Sequence, residues 1–101
     1  MKSNKVTKKN FFEEAGKFHK YFNFGVSDEI AQRSVNCKAG RLEINCMIYK
    51  GKLHADIYTH PNETAFESEV FAGKFETIED AVKALKKAEA EYKNKKSWWN
   101  K

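Results

Sequence analysis

Apolar and polar positions alternate from Arg41 to His60, RLEINCMIYKGKLHADIYTH, in two runs separated by Lys50-Gly51. Alternation with period two predicts strands over 41–49 and 52–60, and the Lys-Gly pair predicts a two-residue hairpin turn between them. Closing that turn sets Ile48 opposite Leu53, Cys46 opposite Ala55, Ile44 opposite Ile57 and Leu42 opposite Thr59. The strong aliphatics then share one face. The other face carries Arg41, Glu43, Asn45, Met47, Tyr49, His54, Asp56, Tyr58 and His60. A slip of one residue would exchange the two faces, so the pattern specifies its own register.

Around this hairpin the period changes. Phe11, Ala15, Phe18 and Phe22 recur at helical spacing behind Asn10 and Glu13, a capping pair, and predict a first helix over 11–22 ended by Gly25. Gly16 inside it either costs about 1 kcal/mol relative to alanine or marks a close approach to the sheet. Residues 26–40 are open to two readings, a short helical turn behind Ser27 or a strand over 33–38, and the alternation of Arg33, Val35 and Cys37 with polar neighbours favours the strand. Pro61-Asn62-Glu63 forms a turn, and 65–72 form a further strand with Phe66 and Val70 toward the core and Glu67, Glu69 and Phe71 on the polar face. Thr77 caps a last helix whose stripe is Ile78, Ala81, Val82, Leu85, Ala88 and Tyr92. The expected fold is α+β: an antiparallel sheet of three to four strands, with an N-terminal and a C-terminal helix packed on one face.

A chain of 101 residues with 41% apolar and 33% charged residues has the size of one domain. The expected division is a mobile basic arm over 1–9, a single domain over 10–95 and a basic, tryptophan-containing tail over 96–101. No apolar stretch has the length of a membrane span, and the opening MKSNKVTKKN lacks the apolar core of a signal peptide, so the expected location is cytoplasmic, with Cys37 and Cys46 reduced. Net charge is +5, unevenly spread: residues 1–9 carry +4, residues 10–82 carry −4 and residues 83–101 carry +5. The middle of the chain is acidic.

Cys37, Cys46, His54 and His60 are the residues a zinc site would use, but their spacing matches no common zinc module, and Cys46 faces away from the two histidines. Six residues of strand hold those histidines roughly 20 Å apart. His54 beside Asp56 is the nearest approach to a general base, on a flat face without a nucleophile or a glycine-rich loop. The sequence therefore predicts no enzyme, no metal and no cofactor.

Two binding readings follow. In the first, an acidic, tyrosine-bearing sheet face made of Glu43, Met47, Tyr49, Asp56, Tyr58, Glu67 and Glu69 covers a basic surface of a partner protein. In the second, Lys2, Lys5, Lys8, Lys9, Lys93, Lys95 and Lys96 contact phosphates while Trp98 and Trp99 stack on bases. The order α-β-β-β-α resembles the double-stranded RNA-binding domain, although the last helix opens on TIEDA, with Glu79 and Asp80 where that family carries a basic run. Small size, a lysine-, asparagine- and phenylalanine-rich composition and a single α+β module without cofactor motifs resemble phage-encoded accessory proteins, anti-CRISPR and other anti-defence inhibitors among them. That resemblance implies stoichiometric blocking of a host complex.

Overall fold

A computed structural model describes residues 5–62, 67–95 and 98. It is an α+β fold with one antiparallel sheet and two helices: α1 (Phe11–Gly16), β1 (Gly25–Val26), β2 (Ile30–Cys37), β3 (Gly40–Tyr49), β4 (Lys52–Pro61), β5 (Ser68–Phe75) and α2 (Ile78–Lys93). The strands follow one another across the sheet in chain order, five rather than the expected three to four. The addition is β1, two residues that the hydrophobic pattern is too short to reveal.

The central hairpin pairs as its alternation requires, with Ile48 opposite Leu53, Ile44 opposite Ile57 and Leu42 opposite Thr59. Lys50 and Gly51 both take positive φ, 51° and 76°, the geometry that matches the twist of a two-residue turn. Residues 33–37 of the expected 33–38 strand lie within β2, which begins earlier, at Ile30, and gives way to a turn at Lys38. Ser27 closes the preceding turn, its Oγ accepting the Ile30 N–H at 3.3 Å, in place of a helical cap.

Leu42, Ile44, Cys46, Leu53, Ala55 and Ile57 form the sheet's side of the core, with Phe11 and Ala15 of α1, Phe22, and Ile78, Ala81, Val82, Leu85 and Ala88 of α2 on the other. The Thr77 hydroxyl accepts the Asp80 N–H at 3.1 Å and caps α2, which lies across β3, β4 and β5. Its apolar stripe is the one the sequence predicts.

Several expectations need correction. The first helix stops at Gly16 and continues to Phe22 as successive tight turns, so it spans half its expected length. Asn10 does not cap it by its side chain. Its Oδ1 accepts the Thr7 N–H at 2.6 Å and its Nδ2 donates to the Lys5 carbonyl at 3.0 Å, tying down the preceding residues. Gly16 makes no close approach, since a Cβ there would meet nothing within 4 Å. Residues 1–4 lie outside the described part, but from Lys5 onward the basic arm is docked: Val6 is buried in the core and its N–H donates to the Glu76 carbonyl at 2.8 Å.

The last strand is displaced toward Phe75. Tyr58 faces Glu69 while Ile57 faces Phe71, so Val70 is an extra residue at a bulge. The bulge turns Phe71 to the core face, against the expectation that it joins the polar face. Val70 packs beside the core, and Phe66 lies outside the described residues.

Candidate functional site

With both helices contributing to the core on one side, the other face of the sheet is open. Cross-strand pairing assigns to it Ile30, Gln32, Ser34 and Asn36 of β2, Arg41, Glu43, Asn45, Met47 and Tyr49 of β3, Lys52, His54, Asp56, Tyr58 and His60 of β4, and Glu69, Ala72 and Lys74 of β5. The hairpin's two faces are therefore those its alternation predicts. Lys52 and Lys74 were not anticipated there, and they occupy the end nearest the Lys50-Gly51 turn.

Asn45 is the hub of the open face, only 5% exposed although no helix covers it. Its carbonyl accepts from Gln32 Nε2 at 3.0 Å, and its amide donates to Asp56 Oδ1 at 3.0 Å and to Glu43 Oε2 at 3.3 Å. An amide uses its donors and its acceptor in this way to hold two carboxylates in place. Glu43 Oε1 accepts from His60 Nε2 at 3.1 Å, and Glu67 Oε1 lies 3.5 Å from the same nitrogen. Arg41 Nη1 is 3.8 Å from Glu43, a loose and half-exposed pair.

Glu43, Asp56, Glu67 and Glu69 thus gather along β3, β4 and the start of β5. Half-burial raises the Asp56 carboxyl above its ordinary value of 3.8, the Asn45 hydrogen bond opposes that, and the charges of Glu69 and Glu43 add to it. The charges of Glu69 and Asp56, then the hydrogen bond to Glu69, raise the Tyr58 phenol. Burial leads at Asp56 and neighbouring negative charge leads at Tyr58, but carboxylate repulsion contributes to both shifts. Among the described residues, no group of three or more His, Cys, Asp and Glu is arranged to hold a metal. Cys46 lies under the sheet in the core, its thiol pushed up to about 12 by burial and then by the Asp56 charge.

One consequence is measurable. A carboxyl whose value is raised on folding favours the folded state at pH below its unfolded value, and that advantage is lost as pH rises through the folded value. Asp56→Asn keeps an acceptor for Asn45 and cannot ionise. We expect its melting temperature to exceed that of the wild type near pH 7, with the gap closing near pH 3. The gain is below about 1 kcal/mol because solvent screens a half-buried group. Equal gaps at both pH values would refute the assignment.

Of the expected contact residues, Glu43, Met47, Tyr49, Asp56, Tyr58, Glu67 and Glu69 all lie on or at the rim of the open face, with Tyr49 at its hairpin end and 54% exposed. The nucleic-acid set is scattered. Lys2, Lys96 and Trp99 lie outside the described residues. Lys5, Lys8, Lys9, Lys93 and Lys95 are exposed, with Lys8 3.6 Å from Glu29. Trp98 packs against the core, and its indole N–H donates to the Tyr92 carbonyl at 3.0 Å.

The pattern-based reading missed two features. The first is Phe24, 71% exposed, which with Gln32, Arg33, Ser34, Arg41 and Glu43 lines a cleft of about 310 Å³. The second lies on the core side, where Arg33 enters from β2. Its guanidinium donates to both Glu89 oxygens, Nε to Oε1 at 2.8 Å and Nη2 to Oε2 at 3.0 Å, and Nη1 donates to the Tyr21 carbonyl at 2.9 Å. The Tyr21 ring lies 4.6 Å from it, and burial followed by the Glu89 charge raises the Tyr21 phenol. Arg33 stands in phase with Val35 and Cys37, and Glu89 four residues after Leu85, so a charge on each apolar stripe was the available signal.

No protein-family model matches this sequence, and comparison with curated proteins and with solved structures returns no match. Among the described residues, no helix is long and apolar enough to cross a membrane.

Proposed function

We propose that this chain is a non-enzymatic binding protein, a small inhibitor or adaptor that covers a basic, nucleic-acid-binding surface of a partner protein with the open face of its sheet. The observation that carries the reading is the gathering of Glu43, Asp56, Glu67 and Glu69 on that face, where their mutual repulsion is part of what raises Asp56. Charges crowded at a cost to stability serve best where a complementary surface relieves them. Tyr58 and Tyr49 supply aromatic area among them, and the rigid Asn45 network holds the pattern in place before contact. An inhibitor of the anti-defence type would act through such a face. The docking of Trp98 argues against its stacking on bases, which weakens the reading that places nucleic acid on the termini.

Glu43 and Asp56 also hold Asn45, so reversing them would disturb the sheet. Glu67 and Glu69 are exposed and make the cleaner test. With the wild type and Glu67→Lys/Glu69→Lys as paired baits, we expect the wild type alone to retain a basic protein. Salt should elute it, and its binding to a labelled oligonucleotide should fall when the wild-type chain is added. Equal retention on both baits, or direct oligonucleotide binding by this chain that survives physiological salt, would overturn the reading.

A further inference from the structure

We propose that the cleft beside Phe24 is the specificity pocket of this face and takes an arginine side chain of the partner. The proposal rests on the reading of the open face as a surface for a basic partner, and it adds which basic residue that surface selects.

Phe24 is presented in a defined position. Its N–H donates to the Gln32 carbonyl at 3.1 Å, and the Asn23 side chain next to it pairs with the backbone of Ser34 in both directions, accepting its N–H at 2.9 Å and donating to its carbonyl at 3.1 Å. Asn23 thereby does the work of another strand residue along the edge of β2. Gly25, at φ 135°, follows at once and turns the chain into β1. A large aromatic side chain left 71% exposed on a backbone anchored at three points has the character of an interface anchor.

The chemistry of the cleft selects its guest. Phe24 offers a ring face, Gln32 and Ser34 offer polar atoms, and Glu43 offers a carboxylate at the boundary with the acidic cluster. Among the described residues, cations stand over the rings of Tyr21, Tyr49 and Tyr92 and none over Phe24. A guanidinium is planar, stacks on an aromatic face and donates in a fork to a carboxylate, whereas an ammonium does neither as well. The Arg33 guanidinium, although its residue lines the cleft, is committed to Glu89 and to the Tyr21 carbonyl. Arg41 is the competitor, an internal guanidinium 3.8 Å from Glu43 that a guest must displace.

The test titrates the whole chain into two labelled peptides of equal length and charge, one arginine-rich and one lysine-rich, at low ionic strength. The arginine peptide should bind roughly three- to fivefold more tightly, the size of a cation–π contact at a partly exposed site. Phe24→Leu should erase that preference, Phe24→Tyr should keep it, and Arg41→Gln should strengthen both peptides. Phe24 is exposed, so its variants should melt within about 4 °C of the wild type. Equal binding of both peptides by the wild type, or a preference that survives Phe24→Leu, would overturn the pocket. If that happens while Glu67→Lys/Glu69→Lys still abolishes binding, the acidic face stands without it. Failure to bind either peptide would overturn both.

Discussion

Arg33→Ala should lower the stability of the fold by about 3 kcal/mol, the cost of leaving a buried charge without its partner. Arg33 and Glu89 side chains are 20% and 9% exposed, so solvent does little to compensate Glu89 once the guanidinium is gone. The variant also takes from the Tyr21 carbonyl its donor and from the Tyr21 ring its cation. In a domain of this size such a loss moves the melting temperature by roughly 15 °C. Glu89→Ala should do comparable damage, since it strands the guanidinium instead. Joint replacement by Arg33→Met and Glu89→Leu should recover most of the loss, because well-packed apolar residues often match or exceed a buried ion pair. Urea unfolding of the three variants is the measurement. A loss under about 1 kcal/mol for both single variants would mean that solvent reaches the pair and that it adds little to stability.

The second large effect is expected at Gly40. Its φ of 149° is a conformation that side chains disfavour, and a Cβ there would run into the His60 carbonyl, with Pro61 Cα at 2.8 Å and Asn62 N at 3.0 Å. All three are backbone atoms of the neighbouring strand end and cannot step aside alone. The same corner is held by Asn62, whose N–H donates to the Ala39 carbonyl at 3.1 Å and whose side chain donates to the Lys38 carbonyl at 3.0 Å. Gly40→Ala should therefore cost about 2–4 kcal/mol, and His60, beside the contact, should shift with it. Gly16→Ala is the internal control: it has open space and helical surroundings, and should stabilise by about 0.5–1 kcal/mol. Thermal melts of the two variants should move in opposite directions, and parallel shifts would contradict the geometry.

Arg33 and Gly40 also illustrate how far the pattern of residues reaches. The register of β3 on β4 was legible because a buried face tolerates no slip, and the same alternation placed Glu43, Asp56 and Tyr58 together on the open side. The α2 stripe was equally legible from its period. Arg33 was seen as a strand residue in phase with Val35, but its partner lies 56 residues on, and no local pattern links the two. Gly40 marks in the sequence only the end of the segment that holds the 33–38 strand, because its constraint comes from the carbonyl of a strand that follows later in the chain.

The cleft was hidden for a related reason. Phe24 lies between the expected end of the first helix at Phe22 and Gly25, where no period places it, and only the anchoring of residues 23–25 against β2 sets its ring beside Gln32, Ser34, Arg41 and Glu43. The bulge at Val70 likewise turned Phe71 inward, reversing the face that simple alternation assigns to it. Local periodicity by itself determined the α+β class, the central hairpin with its two faces, and the helix that covers one of them. Those features follow from repeated burial over many residues, where each position reinforces the next. Tertiary structure alone decided the fifth strand, the docking of Val6 and Trp98, the Arg33–Glu89 pair and the Phe24 cleft. Each of these depends on a few specific contacts rather than on burial repeated along an element, and a few contacts leave no period in the chain.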